Sequence, residues 1–101
     1  MRASELLAEL HPGRTLRQDV LQPFGMSVNA LARELHVPTA RLNDVVRGRR
    51  GVTADTALRL ARYLGTTAQF WLNLQSLYDL RAAEQSNGPL IKRQVSPRRA
   101  A

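Results

Sequence analysis

Residues 39–50 carry the side chains best suited to chemistry with a nucleic acid. They are Thr39, Ala40, Arg41, Asn43, Asp44, Arg47, Arg49 and Arg50. Arginine can bond a guanine edge in bidentate fashion, asparagine and threonine can reach base edges or phosphates, and an alanine methyl can contact thymine. Asp44 repels phosphate, but it could accept a hydrogen bond from cytosine or orient Arg41 or Arg47, each three residues away. These types and this spacing favour a surface that reads double-stranded DNA.

The charge of the whole chain also favours a polyanionic partner. The 101 residues include 15 Lys and Arg, 14 of them arginine, against 8 Asp and Glu, which gives a formal net charge of +7. Nucleic acid is the first candidate for such an excess, although a solvated basic surface without a ligand would give the same count. RNA is less favoured than DNA, because the sequence has no aromatic platform on a predicted sheet and no glycine-rich RNA loop.

Other chemistries are poorly represented in the sequence. Cysteine is absent, which excludes disulfide scaffolds, thiolate zinc sites and cysteine nucleophiles. The two histidines, His11 and His36, lie on different predicted turns without clustered carboxylates, so we expect no metal site. The acids are scattered, and the stretch from Gly48 to Gly51 is too short for a phosphate-binding loop. We therefore expect neither an enzyme nor a cofactor.

The length and the hydrophobic pattern predict a single all-α domain. A chain of this length can bury one modest core. No segment alternates apolar and polar residues convincingly, whereas helical spacing recurs along the chain. No run of about 18 apolar residues could span a membrane, and the N-terminus lacks the apolar stretch of a signal peptide. We therefore expect a cytoplasmic protein without membrane contact.

Five helices are predicted between residues 11 and 84. The first repeats Leu16, Val20 and Phe24 every four residues, and Pro23 should break it before Phe24. The others are predicted over residues 28–35, 39–47, 54–64 and 68–84, with caps at Ser27, Thr53 and Thr66 or Thr67 and a stop at Gly65. Residues 1–10 form an N-terminal extension that could be a short helix. Residues 85–101 are predicted to be a flexible basic tail.

The second and third helices have the pattern of a helix-turn-helix. Only three residues join them, and Pro38 prevents the joint from being helical. The residues expected to pack the pair together and anchor the third helix are Ala32, Val37, Leu42, Val45 and Val46. The polar residues of the third helix then face outward, and Ser27 and Asn29 at the start of the second helix could hold a DNA phosphate. An ordinary pair of packed helices with solvated arginines is the alternative.

This helix-turn-helix resembles that of the phage-repressor-like (Xre, Cro/C1-type) regulators. Three further stretches narrow the resemblance. They are His11-Pro12-Gly13, the segment GVTADTALRLA at residues 51–61, and FWLNLQ at 70–75 followed by YDLR at 78–81. Over residues 11–84 the chain resembles the HigA (VapI-type) antitoxins of bacterial toxin–antitoxin operons, and the closing stretch is much more specific than the helix-turn-helix.

The resemblance implies a compact five-helix domain that dimerises, represses its own operon and neutralises a HigB toxin, a RelE-like endonuclease that cuts mRNA on the ribosome. The chain departs from the family pattern at two places. His36 stands where the wider superfamily usually has glycine, so it must adopt the turn conformation itself. The tail is basic, unlike many antitoxins, and is a poor electrostatic match for RelE-like toxins, which are usually basic themselves.

A homodimer interface is expected on the fifth helix. A stripe on this helix is predicted to face the core, and it consists of Phe70, Trp71, Leu74, Leu77 and Tyr78. Leu72 and Leu80 lie off that stripe and would be exposed in a monomer. The predicted dimerisation residues are Trp71, Leu72, Leu74, Tyr78 and Leu80. Two recognition helices would read half-sites about 34–36 Å apart in an inverted repeat. The alternative is that these leucines are exposed singly, as is normal for soluble proteins.

The residues leave two other functions open. One is a stand-alone Xre-type repressor without a toxin partner. The other is an interaction module whose helix-turn-helix binds no DNA. A RelE-like reading frame next to this gene would favour the antitoxin, and a gel shift on the protein's own promoter would separate both DNA-binding functions from the module.

Overall fold

The computed structural model describes residues 3–99, with side chains from residue 6 to residue 99. Within that range the fold has six helical elements and no strand. They are α1 (Ala3–Leu10), α2 (Pro12–Thr15, a π-helical part Leu16–Leu21, and Gln22–Phe24), α3 (Val28–Leu35), α4 (Thr39–Val46), α5 (Ala54–Leu64) and α6 (Ala68–Gln94). The predicted all-α fold is confirmed, and the optional short helix at the N-terminus is present as α1.

One hydrophobic core lies where α2 to α6 meet. Its members are Leu16, Val20, Leu21, Leu31, Ala32, Leu35, Val37, Leu42, Val45, Val46, Val52, Ala57, Leu60 and Trp71. All five residues predicted to pack the helix pair are among them. Ala32 is fully buried on α3, which allows the close crossing of α4, and Val37 fills the space under the turn. The predicted packing of α3 and α4 is therefore confirmed.

Side-chain caps begin three of the helices where the sequence predicts them. The hydroxyls of Ser27, Thr53 and Thr67 accept hydrogen bonds from backbone amides in the first turns of α3, α5 and α6, at 3.0, 3.3 and 3.1 Å. Gly65 ends α5 in the left-handed conformation with φ of 75°. Each cap satisfies an amide that no intrahelical partner can reach.

The turn between α3 and α4 is built on His36 in the left-handed conformation, with φ of 57°. The His36 amide donates to the carbonyl of Arg33 at 3.2 Å, and the Val37 amide donates to the carbonyl of Ala32 at 3.1 Å. This pair of bonds is a Schellman motif, in which glycine is the usual central residue. The expectation that His36 adopts the turn conformation is confirmed.

The middle of α2 is π-helical, which changes the predicted end of this helix. At the end of the π-helical part, the Gln22 amide donates to the carbonyl of Arg17, and the wider turn buries Val20 and Leu21 together. The helix then runs on through Phe24 with Pro23 inside it, just after the π-helical part. The prediction that Pro23 breaks the helix before Phe24 was wrong, and Phe24 is exposed.

Gly13 lets the start of α2 touch the end of α4. A Cβ atom built on Gly13 would lie 2.2 Å from the carbonyl oxygen of Val45 and 2.7 Å from that of Val46. Both atoms belong to the backbone, so neither can turn aside as a side chain would. The Arg17 guanidinium of α2 also donates to the Val46 carbonyl. The end of α4 is therefore held directly against α2.

Helix α6 continues ten residues beyond its predicted end. The sequence predicts a stop near residue 84, because Asn87, Gly88 and Pro89 follow, but the helix runs to Gln94 with Pro89 inside it. A proline in a helix removes one hydrogen bond and bends the axis, and an exposed segment has no packing that the bend could disturb. The prediction of a non-helical tail from residue 85 is corrected for residues 85–94. None of the helices in residues 3–99 is long and apolar enough to cross a membrane.

Candidate nucleic-acid interface

The outer face of α4 carries the polar side chains predicted for it. Ala40 and Arg47 are exposed, and Asn43 and Asp44 between them are half-buried. Spacings of three and four residues bring these positions to one side of the helix, opposite the side that Leu42, Val45 and Val46 bury in the core. The helix therefore presents a small methyl, an amide, a carboxylate and a guanidinium in one row.

The first turns of α3 and α4 are joined at this face. The Thr39 hydroxyl donates to the Asn29 side-chain oxygen at 2.8 Å, and Ser27 caps the Ala30 amide. Ser27, Asn29 and Thr39 are all exposed. The amides and hydroxyls at the beginning of α3 thus point toward solvent beside the row on α4, in the arrangement that suits a phosphate.

Arg41 does not extend from the row into solvent. One of its guanidinium nitrogens lies 3.0 Å from the Asp55 carboxylate and 2.6 Å from the Thr56 hydroxyl, both in the first turn of α5. The arginine side chain is 28% exposed. The sequence suggested that Asp44 could orient Arg41, but Arg41 forms an ion pair with Asp55. The hydrogen bond from Arg59 lowers the pKa of the Asp55 carboxyl most, and the hydrogen bond from Arg41 lowers it further.

The turn after α4 presents Arg49 and Arg50, and two buried polar side chains hold it. The amides of both arginines donate to the Asp44 carbonyl, at 2.8 and 3.2 Å. Gln75 of α6 accepts from the Val52 amide at 2.8 Å, and the His11 ring lies close to Gly48 of the turn. Sequence reasoning missed the positioning roles of His11 and Gln75. A buried glutamine one turn after Trp71, on an otherwise apolar face, was the available signal.

His11 caps α2 only in its neutral form. Its Nδ1 accepts from the Gly13 amide at 2.9 Å, and its ring meets Tyr78 edge-on at 4.7 Å. Burial lowers the pKa of His11, outweighing the Asp79 charge and the Arg50 backbone bond, which raise it. Because the folded state holds the neutral form, the contribution of His11 to stability is complete above its unfolded pKa, about 6.5, and is lost as the pH falls below that value.

We expect the free energy of unfolding to decrease between about pH 7.5 and pH 5 in urea titrations, in part through this group. His11→Asn keeps a cap acceptor that does not titrate, so its stability should fall less over the same interval. His36→Asn is the matched control, because His36 is exposed and asparagine tolerates the left-handed conformation. An unchanged pH slope in His11→Asn would contradict this role.

The structure separates the residues predicted for dimerisation. Trp71 is 1% exposed and donates from Nε1 to the Thr66 hydroxyl at 2.8 Å, so it belongs to the protomer's own core. Leu72 and Leu74 pack partly against that core, and Tyr78 packs against His11. Leu80 is 54% exposed. Leu80 is therefore the member of the set with most of its surface available to a partner.

Two other predictions about α6 need correction. Of the five-residue stripe that was expected to face the core, Trp71 is buried, Leu74 and Tyr78 are half-buried, and Phe70 and Leu77 are exposed. The buried face of α6 is centred on Trp71 and Gln75, so Phe70 and Leu77 fall at its edges. Leu72 was expected to be exposed and is half-buried.

Among the residues that the structure describes, no group of three His, Asp or Glu side chains could hold a metal ion.

Comparison with known proteins places this geometry in a family. The family described as helix-turn-helix matches residues 16–71. Virulence-associated protein I of Dichelobacter nodosus is 58% identical over 76 residues, which cover 75% of this chain and 70% of that protein. Antitoxin HigA-1 of Vibrio cholerae is 36% identical over 84 residues, which cover 79% of this chain and 78% of the antitoxin.

A solved structure agrees with both relatives. The Pseudomonas aeruginosa antitoxin HigA with the higBA promoter superposes with a TM-score of 0.84 at 49% identity, covering 86% of this chain and 95% of that one. The helix-turn-helix family is a class of DNA-binding regulators and not of enzymes, which confirms the prediction that this chain is not an enzyme. The chain belongs to the Xre-type helix-turn-helix family, whose members include the HigA antitoxins and the VapI-type proteins.

Proposed function

We propose that this protein is a HigA-type antitoxin that binds the operator of its own operon and represses it. The observation that carries the proposal is the exposed polar face of the α3–α4 pair, with Arg47, Arg49 and Arg50 at its end. A net charge of +7 favours DNA over an uncharged partner. The P. aeruginosa relative with its promoter supports a DNA partner of the same kind.

The side chains divide by what they would contact. Arg47 and Asn43 read base edges in the major groove, Ala40 contacts a thymine methyl, and Asp44 accepts from cytosine. The residues assigned to phosphates are Ser27, Asn29, Thr39, Arg49 and Arg50. Base contacts give sequence preference, whereas phosphate contacts fix the position of the helix on the duplex.

Two arginine variants test this division. Arg47→Ala should weaken operator binding by roughly 1–3 kcal/mol and relax preference at one base position, because a bidentate base contact is lost. Arg49→Ala should weaken binding to operator and random DNA alike and reduce the slope of affinity against salt. Fluorescence anisotropy titrations against both DNAs, at several salt concentrations, measure the two effects.

Arg98→Ala is the control for charge alone, because Arg98 is exposed and lies beyond α6. It should leave the preference for operator over random DNA unchanged. Equal operator binding by wild type, Arg47→Ala and Arg49→Ala would mean that this face does not bind DNA, and the interaction module without DNA binding would then be the better description.

The operator-bound form is a homodimer with Leu80 at its interface. One recognition helix covers only a few base pairs, so specific binding needs two half-sites about 34–36 Å apart. Leu80→Glu places a charge on an exposed apolar side chain without entering the core, which Leu72→Glu would do. The variant should sediment as a monomer, stay helical and bind an inverted repeat no better than one half-site. A wild type that is monomeric at high concentration would overturn the dimer.

Neutralisation of a RelE-like toxin is the second activity of this proposal. The identity to antitoxin HigA-1 supports it. A neighbouring RelE-like toxin gene should arrest growth when it is expressed alone. Co-expression of this protein with the toxin should relieve that arrest. Arg47→Glu should keep the relief and lose operator binding, because the toxin is assigned to a different surface. Operator binding without relief by the wild type would favour the stand-alone repressor instead.

A further inference from the structure

The Asp55 carboxylate joins the two helices of the helix-turn-helix through α5. One of its oxygens, Oδ2, accepts from Arg41 of α4 at 3.0 Å and from Arg59 of α5 at 2.9 Å. Arg59 also donates to the Leu35 carbonyl, the last residue of α3, at 3.0 Å. Arg41 donates to the Thr56 hydroxyl as well. We call these five residues the Asp55 bridge.

The bridge contacts the helix pair at the two places that set its angle. Leu35 lies directly before the turn, so Arg59 holds the end of α3. Arg41 lies in the first turn of α4, so Asp55 and Thr56 hold the beginning of the recognition helix. Thr56 is 2% exposed and fixed beside the Thr53 cap, so Arg41 rests on a rigid part of α5. The relative orientation of α3 and α4 is therefore tied to a third helix by charged hydrogen bonds.

Global stability does not explain this arrangement. The side chains of Arg59 and Asp55 are 41% and 56% exposed, and exposed ion pairs contribute little to the free energy of unfolding. Placement is the property that such a network can control, because base readout requires the contacting atoms to lie within about 0.5 Å of their productive positions.

We infer that Arg41 and Asp55 are positioning residues for operator recognition, and that Arg41 acts through α5 and not by touching a base. The inference rests on the proposed DNA binding and reassigns one of its predicted contacts. The geometry favours it, because one Arg41 nitrogen bonds both Asp55 and Thr56, which holds the guanidinium against the first turn of α5.

A double-mutant cycle separates positioning from reading. Arg41→Ala, Asp55→Asn and the double variant are titrated against operator and random DNA. Positioning predicts that each single variant lowers the ratio of operator to random affinity by about tenfold and that the double variant lowers it no further. A base-reading Arg41 predicts a lower ratio of operator to random affinity in Arg41→Ala alone, with the ratio unchanged in Asp55→Asn. The second pattern overturns the inference.

Loss of the Asp55 charge should strengthen binding to operator and random DNA alike. The ratio of the two affinities therefore removes this effect of charge. Arg81→Ala is the matched control, because it breaks another exposed ion pair, with Glu84 at 3.1 Å on α6. It should leave the ratio unchanged. The melting temperatures of all single variants should stay within a few degrees of wild type, as expected for exposed pairs.

A second measurement needs no DNA and keeps the inference testable if the proposed function fails. Amide chemical shifts of the isotope-labelled, DNA-free protein respond to any change in the surroundings of α4. Asp55→Asn should move the shifts of residues 39–43 and of the turn at residues 36–38, whereas Arg81→Ala should not. Unchanged α4 shifts in Asp55→Asn overturn the inference even if the wild type binds its operator. A wild type that binds operator and random DNA equally refutes only the proposed function.

Discussion

Gly13→Ala is expected to destabilise the protein by about 3 kcal/mol or more. Overpacking in a rigid interior commonly costs ~1–3 kcal/mol, and here the added methyl meets backbone at 2.2 Å. At an ordinary helical position the same change would stabilise by roughly 0.5–1 kcal/mol, so the sign itself tests the contact. The displaced element would be α4, so operator binding should weaken together with stability.

Urea denaturation followed by circular dichroism measures this effect, and Gly88→Ala is its matched control. Gly88 also lies in a helix, but a Cβ atom there would meet nothing within 4 Å. We expect that variant to be at least as stable as the wild type, with a gain of up to about 1 kcal/mol. If Gly13→Ala were as stable as Gly88→Ala, the close approach of α2 to α4 would be refuted.

Trp71→Ala is expected to destabilise by roughly 3–5 kcal/mol, the usual cost of emptying a large aromatic site in a core. The ring is fully enclosed, packs edge-on against Phe70 at 5.1 Å between centroids and leaves the Thr66 hydroxyl without its donor when removed. Thermal and urea unfolding should both show the loss. Trp71→Phe is the control that keeps most of the packing and loses only the N–H bond.

The same variants decide between the two places predicted for Trp71, one in the core stripe and one in the dimer interface. A core tryptophan acts within one protomer, so Trp71→Phe should keep the sedimentation behaviour of the wild type. An interface tryptophan would instead make the loss of stability depend on protein concentration. Concentration-dependent unfolding of Trp71→Phe alone would restore the interface assignment.

The features predicted correctly from the sequence are those that neighbouring residues determine. Caps such as Ser27 and Thr53 act on amides three residues away, and the burial of Ala32 and Leu42 follows from helical spacing within one segment. The left-handed conformation of His36 was expected from the resemblance, because His36 stands where the wider superfamily usually has glycine. Local chemistry was therefore sufficient for the helix-turn-helix and for its outward row of polar residues.

The features that sequence reasoning missed depend on residues far apart in the chain. Arg41 stands at an outward-facing position on α4, and only the packing of α5 beside it supplies Asp55 as a competing acceptor. In the sequence, Gly13 indicates only the start of a helix. Its close contact with the backbone of α4 appears only when the helices pack. In the sequence, Gln75 is a single polar residue in an apolar stripe. Its role as hydrogen-bond acceptor for the Val52 amide is visible only in the folded structure. No local pattern contains these pairings.

The proline inside α6 divides this helix into two dynamic units. Pro89 carries no amide hydrogen, so one backbone hydrogen bond of the helix is missing there. Residues 89–99 are all exposed. Amide hydrogen exchange should therefore be slow around Trp71, where opening requires global unfolding, and fast beyond Pro89, where local opening suffices. Lys92 and Arg93 lie in the segment after Pro89. Because that segment opens locally, we expect their charges to occupy a range of positions beside the domain.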